Sequence, residues 1–224
     1  ILDVRRGRTI ENPFDRAREV GPAQEIPTHR MSTNWIYQLP FGQGRRYLSG
    51  RSRGLNLVVG GWELTGIYTT QTGQFLTPTW SGPDPTGTAY TTSRTPAQVT
   101  IRPDILYNPN LPPGERGVTR WFDTTAFAAP PAMGGRFGTS ANGVIKGPGV
   151  NVWNLGLIKD FYFGEKAPRL RYEVSATNAF NHPNWNNPRV NVSAPNTFGT
   201  IAGVGGVNDT SGARVFRMGL RLEF

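Results

Sequence analysis

The sequence predicts an all-β chain, an antiparallel meander of about five strands. Three observations predict it. Helical periodicity is almost absent. Glycine (28) and proline (19) are abundant among 224 residues, and aromatics reach 11%. Five segments alternate apolar with polar residues, the period of a strand whose side chains point to opposite faces.

The segment 213–224 is the clearest. Phe216, Met218, Leu220, Leu222 and Phe224 share one face, and Val215, Arg217, Gly219, Arg221 and Glu223 share the other. In 170–180, Leu170, Tyr172, Val174 and Ala176 stand against Arg171, Glu173, Ser175 and Thr177. In 152–163, Trp153, Leu155, Leu157, Phe161 and Phe163 stand against Asn154, Gly156 and Asp160. Lys159 falls on that apolar face near one end, where a lysine can snorkel towards headgroups. The segment 58–76 sets Trp62, Leu64 and Tyr68 against Glu63, Thr65 and Gln71. The segment 31–39 sets Thr33, Trp35, Tyr37 and Leu39 against Ser32, Asn34 and Gln38, with Ile36 interrupting the polar face.

A strand facing lipid needs an apolar residue at every second position, so this pattern predicts a transmembrane β-barrel. No stretch approaches the roughly 18 apolar residues of a membrane-spanning helix. A mean hydropathy of −0.42 is compatible with barrel strands, because only half of each strand is apolar. The alternative is an amphipathic soluble sandwich, whose edge strands ordinarily carry blocking charges or prolines.

The connections differ in length. Residues 163–168 form a short turn and 40–54 a medium one rich in Gly and Arg. The segments 1–28, 81–150 and 181–212 are long, without clear periodicity, and read as loops with no domain boundary. If the last strand descends into the periplasm, every long connection falls outside and every short one inside, the usual asymmetry of outer-membrane barrels. Five strands do not close a barrel: small ones need roughly 8, and large plugged transporters have about 22. Either more strands precede Ile1 or several copies associate. The opening isoleucine, with no visible signal peptide, favours a fragment or a processed product.

Composition narrows the chemistry. With no cysteine, zinc ribbons, thiol catalysis and disulfide scaffolds are excluded. The formal charge is +9, yet the arginines are scattered without a dense basic cluster, so no nucleic acid is expected. His29 and His182 lie outside any cluster with ligand spacing, so no metal and no cofactor is expected. No nucleophile–base pair or catalytic motif is found, so the chain is read as no enzyme. Trp35, Tyr37, Trp62, Tyr68, Trp153, Phe161 and Phe163 are candidates for aromatic girdles at the membrane interfaces. Trp80, Trp121, Phe122 and Trp185 lie in loops and either contact a ligand or pack the loops together. Arg171, Glu173, Arg221 and Glu223 form a candidate lumen ladder: Arg171 opposite Glu223 puts Glu173 opposite Arg221.

Several stretches carry a resemblance. They are Asn12-Pro13-Phe14-Asp15, His29-Arg30, 37–42 (YQLPFG), 60–66 (GGWELTG), 153–161 (WNLGLIKDF), 178–185 (NAFNHPNW) and 220–224 (LRLEF). Together and in this order they resemble the late barrel of Oar-like TonB-dependent receptors. The family often carries an aspartate three residues before the His-Arg pair; Ile26 stands there, beside Glu25. The resemblance implies the C-terminal part of an energy-coupled outer-membrane receptor-transporter of a Gram-negative bacterium. It implies outer-membrane lipid, the barrel-assembly machinery, an unknown extracellular substrate and, through a plug lacking from this chain, the TonB complex as partners. It also implies that Phe216, Met218, Leu220, Leu222 and Phe224 are the assembly signal. A structural or adhesive β-protein that binds surfaces through its loops is the alternative.

Overall fold

The computed structural model describes residues 11–12, 14–23, 26–50, 52–87, 99–163, 168–205 and 212–224. The turn residues 164–167, Glu25 and the first ten residues lie outside the described residues. The chain divides into two compact units, a sheet unit (Arg30–Gln71, Val150–Asn184, Val204–Phe224) and a loop unit (Ile1–His29, Thr72–Gly149, Trp185–Gly203).

The sheet unit is one antiparallel meander of five strands: β1 Arg30–Gln38, β2 Trp62–Gln71, β3 Val150–Tyr162, β4 Arg169–Thr177 and β5 Val215–Glu223, paired in that order. β1 and β5 are its edges. All five alternating segments therefore form strands. The second is shorter than its pattern suggested. Val58 belongs to a helix, α1 (Arg53–Val59), which Ser52 caps by accepting from the Leu55 amide at 3.4 Å. The strand begins only after Gly60 and Gly61. Gly61 sits at φ 68°, where a Cβ would run into the Asp160 carbonyl, and its own carbonyl accepts from the Asp160 amide at 2.9 Å. Only glycine takes that corner without strain. Phe75 and Leu76 leave the sheet to pair with Lys146 and Ile145 in the loop unit.

The long segments are not structureless. The segments that parity assigns to one side fold together as the loop unit. Their ladders are short: Phe75–Leu76 with Ile145–Lys146, Trp80–Gly82 with Val99–Ile101, and Asp104–Ile105 with Phe127–Ala128. What holds them is a core of Phe122, Ala126, Phe127, Ile145 and Phe198. Phe122 meets Phe198 edge-on at 5.1 Å and Phe127 at 6.0 Å. Burying a phenyl ring of this kind stabilises by about 2–3 kcal/mol, and edge-to-face contact adds about 1 kcal/mol. A second cluster joins Trp80 and Ile101, with Phe137 and Val192 against them.

Candidate functional site

The register assembles the five strands into two chemically distinct faces. Residues directly opposite in an antiparallel pair point the same way. Trp35 faces Gly66, Gly66 faces Leu155 and Leu155 faces Ala176, which faces Phe216. Tyr37, Leu64, Leu157, Val174 and Met218 form the next row. Trp62, Lys159, Tyr172 and Leu220 form a third, and Phe161, Leu170 and Leu222 a fourth. The apolar positions read from each strand separately thus fall on one continuous face. It is open: Met218 is 71% exposed and Leu220 69%. A surface of this size and composition demands a non-aqueous neighbour.

Aromatic rings gather at both ends of this face. At one end Tyr68 stacks on Trp153 at 4.2 Å, and Phe180 meets Trp153 edge-on at 5.8 Å. At the other stand Trp62, Phe161 and Tyr37. Phe163 follows the last residue of β3 and is exposed. Along β3 the eight steps from Trp153 to Phe161 span about 26 Å at a strand rise of ~3.3 Å per residue. Tilted as barrel strands are, that approaches the ~25 Å apolar band between two girdles. Lys159 does not snorkel outwards. It is buried, its Nζ donating to the Gly60 carbonyl, with the Trp62 and Phe161 rings 5.2 and 5.0 Å from it. The two rings cover the ammonium while the carbonyl accepts one of its three protons.

The opposite face is polar and concave. A hollow of about 680 Å³ is lined mostly by its residues, among them Asn34, Thr65, Asn154, Ser175 and Thr177 together with Ile36 and Ile67. A second hollow of about 300 Å³ adjoins Glu173, Ser175 and Arg217. Charges concentrate towards the β3–β4 turn. The expected ladder is overturned there: Arg171 stands opposite Arg221, and Glu223 opposite Arg169. Arg169 Nε lies 3.2 Å from Glu223, while Arg171 Nε reaches along its own strand to Glu173 at 2.7 Å. Arg221 pairs with Glu223 at 3.6 Å. Asp160, opposite Arg171 on the other side, lies 3.9 Å from Arg171 and 3.6 Å from Arg169. A slip of two residues leaves every side chain on its face, so alternation alone does not select between the two registers.

The loop aromatics divide. Trp80 and Phe122 are buried and pack the loops, the second of the two roles open to them. Trp121 is half-buried and donates its Nε1 to the Lys146 carbonyl at 2.9 Å. Trp185 is half-buried. His29 and His182 are exposed and engaged through their backbones, His29 with Thr72 and His182 with Asn178.

Two buried polar centres escaped the sequence reading. Asn178, at φ 47° and 3% exposed, closes the exit from β4. Its amide nitrogen donates to the His182 and Gly212 carbonyls at 2.9 and 2.6 Å, and its oxygen accepts from the His182 amide at 3.0 Å. Asparagine tolerates the left-handed backbone and supplies both donor and acceptor. In the loop unit, Arg102 is 5% exposed. It donates through Nε and its terminal nitrogens to Glu11 at 3.0 and 2.9 Å, Glu19 at 2.8 Å and the Arg18 carbonyl at 2.9 Å. Arg18 bonds Glu11 at 3.1 Å and the Gly138 carbonyl. No spacing signals the Arg102 centre, whose acidic partners are 83 and 91 residues away; Asn178 has His182 four residues on, and its distant partner is Gly212.

A continuous apolar face banded by aromatics, backed by a polar concave face, is the surface of a membrane barrel wall. A family model described as "outer membrane beta barrel domain" matches residues 3–217, and the chain belongs to that family. It is a protein of the outer membrane of Gram-negative bacteria. Neither the curated proteins nor the solved structures return a match.

Proposed function

We propose that this chain is part of the wall of an Oar-like TonB-dependent receptor, an outer-membrane transporter barrel of about 22 strands. Substrate binds at the loop unit and passes along the polar face of the sheet, driven by an inner-membrane complex acting through a plug. Further strands complete the wall, because an unpaired strand edge is not tolerated in lipid. Phe216, Met218, Leu220, Leu222 and Phe224 serve barrel assembly. The reading assigns no covalent chemistry to the chain. The observation that carries it is the loop unit: two long connections share one aromatic core, and Arg102 ties the segment around Glu11 and Glu19 to the same unit, a folded surface instead of slack loops. The ordered motifs from 37–42 to 220–224 add the resemblance.

Energy-dependent uptake by cells with and without the protein tests it, with the candidate solutes being chelated metals, glycans and vitamins. Uptake that needs both the protein and the proton gradient supports the reading. Solute passage indifferent to the gradient removes the energy-coupled part. The self-contained core of the loop unit also favours an adhesive protein that binds surfaces without a channel. Cell attachment lost with the protein, alongside unchanged solute uptake, would select that second reading.

A further inference from the structure

The connection between β1 and β2 is built, not slack. Residues 40–62 contain four arginines (Arg45, Arg46, Arg51 and Arg53) and no acidic residue. Among the described residues of the stretch, Arg45, Arg46 and Arg53 are exposed. Arg45 donates to Gln38 at 2.9 Å, and Arg46 lies 5.5 Å from the Tyr47 ring centre, so both heads are held without a carboxylate partner. Asn56 ties the segment together: its side-chain oxygen accepts from the Gln43 amide at 2.6 Å and its carbonyl from the Gly60 amide at 2.9 Å.

Apolar side chains accompany the arginines. Tyr47 is 48% exposed, Leu55 40% and Val58 67%. Trp62, on the apolar face of the sheet, donates its indole N–H to the Val58 carbonyl at 2.8 Å. The end of α1 is thereby fixed beside the apolar face, not the polar one. Exposed Leu55 and Val58 thus adjoin the lipid-facing surface beside the Trp62–Lys159–Phe161 cluster, and the arginines of the same connection stand at that end of the sheet, with Arg45 reaching to Gln38. Arginines beside apolar residues at the rim of a membrane-facing surface match one partner, a leaflet of anionic phospholipid.

We propose that residues 40–61 form a headgroup-binding anchor that seats Arg45, Arg46 and Arg53 on anionic phospholipids, with Leu55 and Val58 entering the acyl boundary. The proposal rests on the barrel-wall reading for its lipid-facing surface, and assigns the anchor to the leaflet at the short-connection end. Each arginine near an anionic surface contributes about 1 kcal/mol, a roughly fivefold gain in partitioning.

Flotation of the full chain with vesicles tests it. The vesicles are pure phosphatidylcholine, or the same lipid with phosphatidylglycerol, in low and high salt. The triple variant Arg45→Gln, Arg46→Gln, Arg53→Gln is compared with wild type. Arg217→Gln with Arg221→Gln, on the polar face, serves as the charge control. The proposal expects wild type to prefer phosphatidylglycerol vesicles at least tenfold in low salt. The triple variant and high salt abolish most of that preference, and the control pair keeps it. Equal flotation on both vesicles by wild type and variant overturns the anchor and leaves the barrel wall standing. Flotation on neither overturns both. A preference unchanged in the triple variant, or a stronger one for lipopolysaccharide-bearing vesicles, also overturns it.

Discussion

Arg102 holds the loop unit's first segment to the rest of that unit, and replacing it with alanine should release that segment. The side chains of Arg102 and Glu11 are 6% and 9% exposed, and that of Glu19 is 14% exposed. Removing one partner of a buried ion pair costs about 3–5 kcal/mol, because the charge left behind has neither partner nor water. Arg18 remains 3.1 Å from Glu11, so the lower bound applies, about 3 kcal/mol. Hydrogen exchange, read by segment on the membrane-embedded protein, measures this directly. Amides in 14–20 and 100–105 should exchange roughly a hundredfold faster in Arg102→Ala, since ~1.4 kcal/mol is a factor of ten. Amides of β2, β3 and β4 should not change. Arg102→Lys should fall between, because an ammonium cannot reproduce the forked contacts. Exchange in 14–20 altered less than threefold, or altered equally in the sheet, would refute the reasoning.

Other perturbations have equally definite outcomes. Asn178→Ala removes three hydrogen bonds and a side chain suited to φ 47°; folded-state stability should drop by about 2–4 kcal/mol, seen as a lower denaturant midpoint. Gly61→Ala forces a Cβ against the Asp160 carbonyl at a positive φ, costing about 1–3 kcal/mol and exposing the Asp160 amide to exchange. Asp104 is held below its ordinary value of 3.8 chiefly by hydrogen bonds from Arg136, at 2.7 and 2.8 Å. A carboxyl lowered in the folded state stabilises fully above its unfolded pKa, and that contribution is lost as pH falls through the folded value. Acid titration of loop-unit stability should therefore be shallower below about pH 4 in Asp104→Asn than in wild type.

Period-two alternation is local, so the faces of all five strands were legible without knowing any partner. Trp35, Leu64, Leu155, Val174 and Met218 were each assigned correctly from their own segment, and the register joins them. Pairing was not legible. Moving β5 by two residues exchanges Glu223 for Arg221 opposite Arg171 and changes no face. Short α1 stayed hidden because it spans only seven residues, flanked by glycines and arginines. The loop core stayed hidden for another reason. Phe122, Ile145 and Phe198 come from separate segments with no periodic spacing, so their convergence exists only in three dimensions. Asn178 lies inside the 178–185 stretch that carries the resemblance, and its work there, closing the turn out of β4, is visible only from its partners.

The central claim is that one face of the sheet meets lipid and the other meets water. The chain has no cysteine, so single cysteines at alternating positions can be probed in the protein's own membrane. Leu155→Cys, Leu157→Cys, Tyr172→Cys and Val174→Cys cover one face, and Asn154→Cys, Ile158→Cys, Arg171→Cys and Ser175→Cys the other. Spin labels at the first four should collide with dissolved oxygen more than with a water-soluble nickel chelate, and those at the second four should not. Equal chelate access at both sets would contradict the account.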